Sequence, residues 1–178
     1  MTLKWIQATI IFPINAVIFI PAVLLFCTGS HYRIHTSISI PSIAGVAFIS
    51  IPFVTGCVFF VCGVCLAGWT MRLFATQGEG TAAPWNPPKK LVVAGPYRYV
   101  RNPMITSVLL MLSGEALLLW SGVVFAWFAV FWLGNMIYFP LFEEKDLEKR
   151  FGESYQEYKY NVPRWIPRIT PWNQTQIR

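Results

Sequence analysis

Four long apolar runs dominate the sequence and constrain its fold more than any other feature. They cover about residues 5–28, 42–70, 104–120 and 123–142. A helix needs about 20 predominantly apolar residues to cross the hydrocarbon core of a bilayer. A helix also satisfies its own backbone hydrogen bonds in lipid, where water is absent. We therefore predict an all-α integral membrane protein with about four transmembrane helices.

The predicted spans leave room for one domain. The chain has 178 residues, and four spans with their loops exclude a second soluble domain. Ser121-Gly122 separates the last two runs by a turn so short that the runs must form an antiparallel helical hairpin. We predict a single domain over residues 1–178, with a connector at 77–103 and a tail at 143–178.

The tail is predicted to begin with an amphipathic helix over residues 143–160. Its apolar residues recur at helical spacing and form one stripe: Leu147, Phe151, Tyr155 and Tyr158. This stripe could face either the bilayer or the connector. Beyond the helix, prolines and tryptophans indicate a segment at the membrane interface: Pro163, Trp165, Pro167, Pro171 and Trp172.

Basic residues flank the apolar runs unevenly, and this asymmetry predicts the orientation. Lys4 precedes the first run, Arg33 lies in the first loop, five basic residues lie at 72–101, and seven follow residue 142. The positive-inside rule places both termini and the connector in the cytoplasm, at a bacterial inner membrane or the endoplasmic reticulum. The formal charge of +6 is not attributed to nucleic-acid binding, because the basic residues adjoin apolar spans. Anionic headgroups are the predicted partners.

Small residues within the runs have a predicted packing role. The four cysteines all lie in apolar segments, so we predict neither a disulfide framework nor a metal site, although Cys62 and Cys65 have the Cys-x-x-Cys spacing. Glycines recur in the second run and let a neighbouring helix approach closely: Gly45, Gly56, Gly63 and Gly68.

The start of the third run offers groups that suit an anion. Asn102-Pro103 fits an N-cap followed by a first-turn proline, so the helix begins with free backbone N–H groups and a positive dipole end. Arg98 and Arg101 lie just upstream. A carboxylate or phosphate would bind well there, whereas the alternative is that the arginines anchor to headgroups. We expect a polar cofactor at the face where connector, hairpin and tail meet.

Polar residues within and after the hairpin are further candidates. Thr106 and Ser107 on one leg and Asn135 on the other lie at similar distances from the turn. They could line a slot or join the two legs. Glu143 and Glu144 lie where the fourth run enters water, and they either begin an exposed helix or bind a ligand.

These residues belong to an ordered set of motifs. The set comprises Leu91-Val-Val-Ala-Gly-Pro-Tyr-Arg-Tyr-Val-Arg-Asn-Pro-Met104, the hairpin, Glu143-Glu144, and Phe151-Gly-Glu-Ser-Tyr-Gln-Glu-Tyr158. It resembles the isoprenylcysteine carboxyl methyltransferase and phospholipid methyltransferase superfamily over roughly the C-terminal half of the chain. The resemblance implies a methyltransferase that uses S-adenosyl-L-methionine on a lipid or lipidated acceptor from the bilayer.

The resemblance also implies roles for individual residues. Carried over, the family's cofactor site implicates Leu91, Val92, Tyr97, Asn102, Pro103 and Glu143. Arg98, Arg101 and Glu144 complete the predicted cofactor set, and Ser107, Asn135 and Phe139 are the predicted acceptor-binding residues. No catalytic side chain is predicted, because methyl transfer from a sulfonium depends on positioning and desolvation rather than on a nucleophilic residue.

Three positions depart from the family pattern. Asn102 replaces the family's His, Ile105 replaces a Tyr, and Phe139 stands where the prenylcysteine branch carries an Arg that suits a carboxylate. We therefore expect a phospholipid-type amine or another headgroup as acceptor. The alternatives are carboxyl methylation of an isoprenylcysteine with another cation such as Arg72, and a non-catalytic membrane protein that binds anionic lipid.

Overall fold

A computed structural model of the chain describes residues 14–29, 51–79 and 87–173. Within these ranges the secondary structure is helical and contains no strand, which confirms the all-α prediction for them. The elements in chain order are a π-helical turn Asn15–Phe19, α1 (Ile20–Thr28), α2 (Ile51–Thr76), a 3₁₀ turn Gly95–Arg98, α3 (Pro103–Leu119), α4 (Gly122–Tyr138), a π-helical turn Phe139–Glu143, α5 (Glu144–Phe151) and α6 (Glu153–Asn161).

Two described helical stretches are long and apolar enough to cross a membrane. They are Ile51–Thr76 and the continuous stretch Gly122–Phe151, while Asn15–Thr28 and Pro103–Leu119 are apolar but shorter. The helix of the second run continues to Thr76, beyond the predicted end of the span at residue 70. The fourth run likewise stays helical past its predicted end at residue 142. The beginnings of the first two runs lie outside the described residues.

Glycines bring α2 and α3 into close contact. A Cβ atom on Gly63 would lie 2.7 Å from Met111 Cγ and 2.8 Å from the Ser107 carbonyl oxygen. A Cβ on Gly56 would lie 2.9 Å from Leu118 Cγ, so the predicted packing role is confirmed for Gly56 and Gly63. On Gly68 a Cβ would meet no atom of the described residues within 4 Å, so they show no packing role for it; Gly45 lies outside the described residues.

The antiparallel hairpin of α3 and α4 is confirmed, and α1 packs against it. Leu112 and Val124 are fully buried within the hairpin. The Trp127 Nε1 group donates a hydrogen bond of 2.9 Å to the carbonyl oxygen of Ala16, which ties α4 to the first helix. The outer faces of α2 and α4 stay apolar, and Val61 and Ile137 are about 60% exposed. Exposed faces of this composition suit lipid rather than water.

The tail forms two helices, so the predicted single amphipathic helix is wrong. Gly152 separates α5 from α6 with φ +54° and ψ −130°, a conformation that only glycine adopts readily. The predicted apolar stripe nevertheless exists, because Tyr155 and Tyr158 are buried in one cluster with Leu91 and Val93. The stripe therefore faces the connector.

Candidate functional site

Connector and tail are joined along their length at the open end of the hairpin. The joining bonds are Arg101 N to Pro163 O at 2.9 Å, Arg168 N to Tyr99 O at 2.9 Å, Trp172 N to Arg98 O at 2.9 Å, and Tyr158 Oη to Tyr97 O at 2.7 Å. Arg150 also donates to the Pro88 carbonyl oxygen. The predicted meeting of connector, hairpin and tail is therefore confirmed.

Glu144 is the centre of a buried ion cluster at this junction. Its Oε1 lies 3.1 Å from Arg101 Nη1 and 2.6 Å from Arg164 Nε, and its Oε2 lies 3.2 Å from Lys159 Nζ. The side chains of Arg101 and Glu144 are only 9% and 4% exposed. One carboxylate thus ties the connector and both parts of the tail to the start of α5, and removal of that charge would leave the buried Arg101 uncompensated.

Glu143 differs from its neighbour Glu144 in its surroundings. It is half-buried in the π-helical turn and forms no ion pair with another residue that the structure describes. The charges nearest to it are those of Asp146 and Arg150, which have opposite signs. Its carboxylate therefore has free hydrogen-bonding capacity, whereas that of Glu144 is taken up by three cations.

The start of α3 carries buried donors without acceptors. Asn102 occupies the predicted N-cap position and Pro103 the first helical position, but the Asn102 side chain makes no capping bond. Within the described part of the chain, Asn102 Nδ2, Arg101 Nε and Trp165 Nε1 are buried and have no hydrogen-bond partner. Each such donor costs about 1–3 kcal/mol when it stays unpaired. A ligand with several acceptor atoms would remove that cost.

A groove lies between the connector and the end of the described tail. It has a volume of about 290 Å³ and is lined by Val93, Ala94, Gly95, Arg98, Trp172 and Asn173. Arg98 Nε donates to the Trp172 carbonyl oxygen at 3.0 Å, which fixes the guanidinium at the groove wall. The groove therefore combines apolar connector surface, an aromatic ring and one fixed cation.

The remaining predicted connector residues are part of its packed interior. Val92 and Tyr97 are buried against Leu73, and the Tyr97 ring lies 5.3 Å from that of Phe74. Burial raises the pKa of Tyr97 well above its usual value, so its hydroxyl stays neutral. Leu91 packs on the tail cluster. These residues hold the 3₁₀ turn and Arg98 in place.

Polar residues of the hairpin bond within their own helices. Ser107 Oγ donates to the Met104 carbonyl oxygen at 2.6 Å, and Asn135 Nδ2 donates to the Phe131 carbonyl oxygen at 2.7 Å. No hydrogen bond joins Ser107 to Asn135. Of the two predicted arrangements, a slot lined by polar residues or a polar bond between the two legs, these two residues therefore do not form the bond. Ser107 is fully buried and Asn135 is half-buried.

Phe139 lies where the tail crosses the end of α4. Its ring is 5.9 Å from that of Trp165, in an edge-to-face arrangement at 77°. Sequence reasoning did not assign Trp165, Lys159 or Arg164 to the site. Their approach to Phe139 and Glu144 depends on the path of the tail. The only sequence signal was that aromatic and basic residues cluster after residue 158.

Comparison with known proteins finds one family whose pattern the chain matches. Residues 51–154 match the phospholipid methyltransferase family, which is more than half of the 178-residue chain. The match begins with α2, includes the connector and the hairpin, and ends in the first turn of α6. No curated protein and no solved structure matches the chain.

Proposed function

The chain belongs to the phospholipid methyltransferase family, and from this premise we propose that it is a multi-pass membrane enzyme that methylates a lipophilic acceptor with S-adenosyl-L-methionine. The observation that carries the proposal is a pair of buried donors without hydrogen-bond partners, Arg101 Nε and Asn102 Nδ2. Glu143 directly precedes Glu144, the ion-pair partner of Arg101, and has no ion-pair partner of its own among the described residues. A zwitterionic ligand needs both kinds of group.

The residues at this junction fit the amino-acid part of S-adenosyl-L-methionine. We assign its carboxylate to Arg101 Nε, Asn102 Nδ2 and the backbone N–H groups that follow Pro103, and its ammonium to Glu143. We assign Arg98 to the remaining side of this site, and Leu91, Val92 and Tyr97 the indirect role of holding Arg98 in place from the packed interior of the connector. When bound, the cofactor supplies a methyl group that its sulfonium activates for displacement.

The chain's own contribution is to position its ligands and to exclude water. Glu144 holds Arg101 in place through the 3.1 Å ion pair, and we assign it this indirect role in cofactor binding. The bonds between connector and tail keep the site covered from the aqueous side. Positioning and desolvation of this kind provide much of the rate enhancement in reactions without a nucleophilic residue.

The acceptor-binding residues favour a headgroup other than a carboxylate. Phe139 and Trp165 form an aromatic pair at the position where the prenylcysteine branch carries an Arg. Aromatic rings attract ammonium groups, whereas they offer no positive charge to a carboxylate. We therefore propose a phospholipid-type amine acceptor that reaches Phe139 from the bilayer, past Ser107 and Asn135.

The proposed orientation follows the distribution of basic residues. Four spans with both termini in the cytoplasm place the connector and the tail on the same side, which agrees with their direct hydrogen bonds. The cofactor is polar and would reach the site from the cytoplasm, and the lipid acceptor would reach it from the membrane.

Calorimetric titration of S-adenosylhomocysteine into the detergent-purified protein tests the proposal directly. We expect saturable binding to wild type and at least about tenfold weaker binding to Glu143→Gln, because a charge-assisted hydrogen bond is lost. The matched control is Glu153→Gln, since Glu153 is exposed on α6 and forms no ion pair with a described residue. Absence of binding to folded wild type, or equal affinity in both variants, would contradict the proposal.

A further inference from the structure

The last described part of the tail has an exposed apolar surface that the proposed function does not use. Ile166 is 80% exposed and Ile169 is 98% exposed. Three prolines of the same segment are also exposed: Pro163, Pro167 and Pro171. We refer to these five residues as the tail patch. A single exposed isoleucine is common on protein surfaces, but a contiguous apolar patch of this kind marks an interaction site.

Hydrogen bonds fix the backbone that carries the tail patch. Three backbone bonds of 2.9 Å join this segment to the connector: Arg101 N to Pro163 O, Arg168 N to Tyr99 O, and Trp172 N to Arg98 O. Val162 and Trp172 are buried at its two ends. Arg168 Nη1 additionally donates to the Asn161 carbonyl oxygen at 2.7 Å. The fold therefore holds both isoleucines outward, and their exposure does not result from a loose chain end.

The tail patch adjoins the membrane-facing surface of the hairpin. Ile166 directly follows Trp165, whose ring contacts Phe139 at the end of α4. On the same turn, Tyr138 and Phe142 are 48% and 61% exposed. Aromatic residues at the end of a span are typical of the membrane–water interface. The patch thus continues the apolar outer surface of α4 beyond the end of the helix.

Charge around the tail patch complements a phospholipid surface. The segment from Val162 to Asn173 contains Arg164 and Arg168 and no acidic residue. A bilayer surface offers acyl chains for the isoleucines and phosphates for Arg168 at the same depth, whereas Arg164 is already paired with Glu144.

We propose that the tail patch inserts Ile166 and Ile169 into the boundary between headgroups and acyl chains. Interfacial segments of this kind bury their apolar side chains about 5–10 Å below the headgroup level. The tail is then anchored twice, to the connector by hydrogen bonds and to the membrane by the patch. The same segment carries Arg164, which binds Glu144 at 2.6 Å, so the anchor holds the ion cluster at the level where a lipid acceptor arrives.

Site-specific fluorescence in nanodiscs tests this proposal. The four native cysteines are replaced by alanine, and a single environment-sensitive fluorophore is attached at Ile169→Cys, with Ile166→Cys as a second labelled protein if the first does not fold. The nanodiscs contain phosphatidylglycerol and phosphatidylcholine, with or without a lipid that carries a quencher near the headgroup. We expect blue-shifted emission that loses most of its intensity to the quencher lipid. Glu153→Cys on α6 is the matched control and should stay unquenched.

Two outcomes would overturn the proposal. Emission typical of water at both isoleucine positions would show that the patch lies outside the bilayer. Blue-shifted emission without quenching would show that protein, rather than lipid, covers the patch. A causal test adds Ile169→Asp to the protein labelled at Ile166→Cys, and we expect the quenching to fall. The proposal concerns a surface and not the methyl transfer, so it can fail while S-adenosylhomocysteine binding persists, and the reverse also holds.

Discussion

Glu143 and Glu144 are neighbours in sequence, yet the fold gives them different surroundings. The carboxylate of Glu144 is surrounded by three cations, and that of Glu143 has no ion-pair partner among the described residues. Sequence motifs identify the pair as a unit and cannot divide the roles, because the cations come from residues 101, 159 and 164. The division becomes visible only when the tail is placed against the connector.

Neutralising each carboxylate in turn separates the two roles. We expect Glu144→Gln to lower the free energy of unfolding by about 3 kcal/mol, because the buried Arg101 loses its counter-charge, while Lys159 keeps its second partner Glu148. Glu143→Gln should change it by less than about 0.5 kcal/mol, as is usual for a side chain without partners. Denaturant unfolding of both variants in detergent measures this. Equal stability of the two variants would contradict the ion-cluster assignment.

Asn102 offers a second test at the level of a single residue. Its Nδ2 is buried without a partner, so Asn102→Ala should leave stability unchanged or raise it slightly, since an unpaired donor is removed. The same variant should bind S-adenosylhomocysteine about tenfold more weakly if that donor holds the ligand. Asn102→His restores the donor found in the family and should retain affinity. Unfolding and calorimetry on both variants supply the comparison, and unchanged affinity in Asn102→Ala would remove this residue from the site.

The close crossing of α2 and α3 can be tested by adding a single methyl group to one of its glycines. A Cβ on Gly63 would lie within 2.9 Å of backbone atoms of Ser107 and Met111, so the two helices must separate. We expect Gly63→Ala to cost about 1–3 kcal/mol. Gly68→Ala is the control, because a Cβ added at Gly68 would meet no atom of the described residues within 4 Å. This substitution should be neutral or stabilise the protein by up to about 1 kcal/mol. Thermal unfolding of both variants measures this difference in stability. Equal losses of stability in the two variants would show that α2 and α3 do not cross at Gly63.

Helical elements were predictable wherever hydrophobicity alone determines them. The ends of α1, α3 and the hairpin turn agree with the predicted runs to within one or two residues, because polar residues and glycine interrupt the apolar sequence there. The path of the tail was not predictable. Gly152 breaks the expected helix through a positive φ, and the direction of α6 depends on the burial of Tyr155 and Tyr158 against the connector.

We expect the contacts between the connector and the tail to lose stability at alkaline pH. Burial raises the pKa of Tyr97, Tyr155 and Tyr158, so these groups bind protons more tightly in the folded state. Their contribution to stability is complete below the unfolded pKa of about 10 and is lost as the pH rises toward the folded pKa values. Unfolding measured from pH 8 to about pH 11 should show this decline, and Tyr155→Phe should reduce it. A free energy of unfolding that stays constant over this pH range would contradict the burial of these tyrosines between the connector and the tail.

The number of membrane crossings and the side on which the two termini lie can also be tested. The shorter apolar helices, Asn15–Thr28 and Pro103–Leu119, span about 21 and 26 Å at 1.5 Å per residue, less than a hydrocarbon core of about 30 Å. Four crossings therefore require residues before 14 in the first run, and both termini then lie on one side. Green fluorescent protein fused to either terminus should fluoresce in bacteria, while alkaline phosphatase should be active when inserted near Arg33 or at Ser121-Gly122 and inactive when inserted in the connector. Termini on opposite sides would show an odd number of crossings.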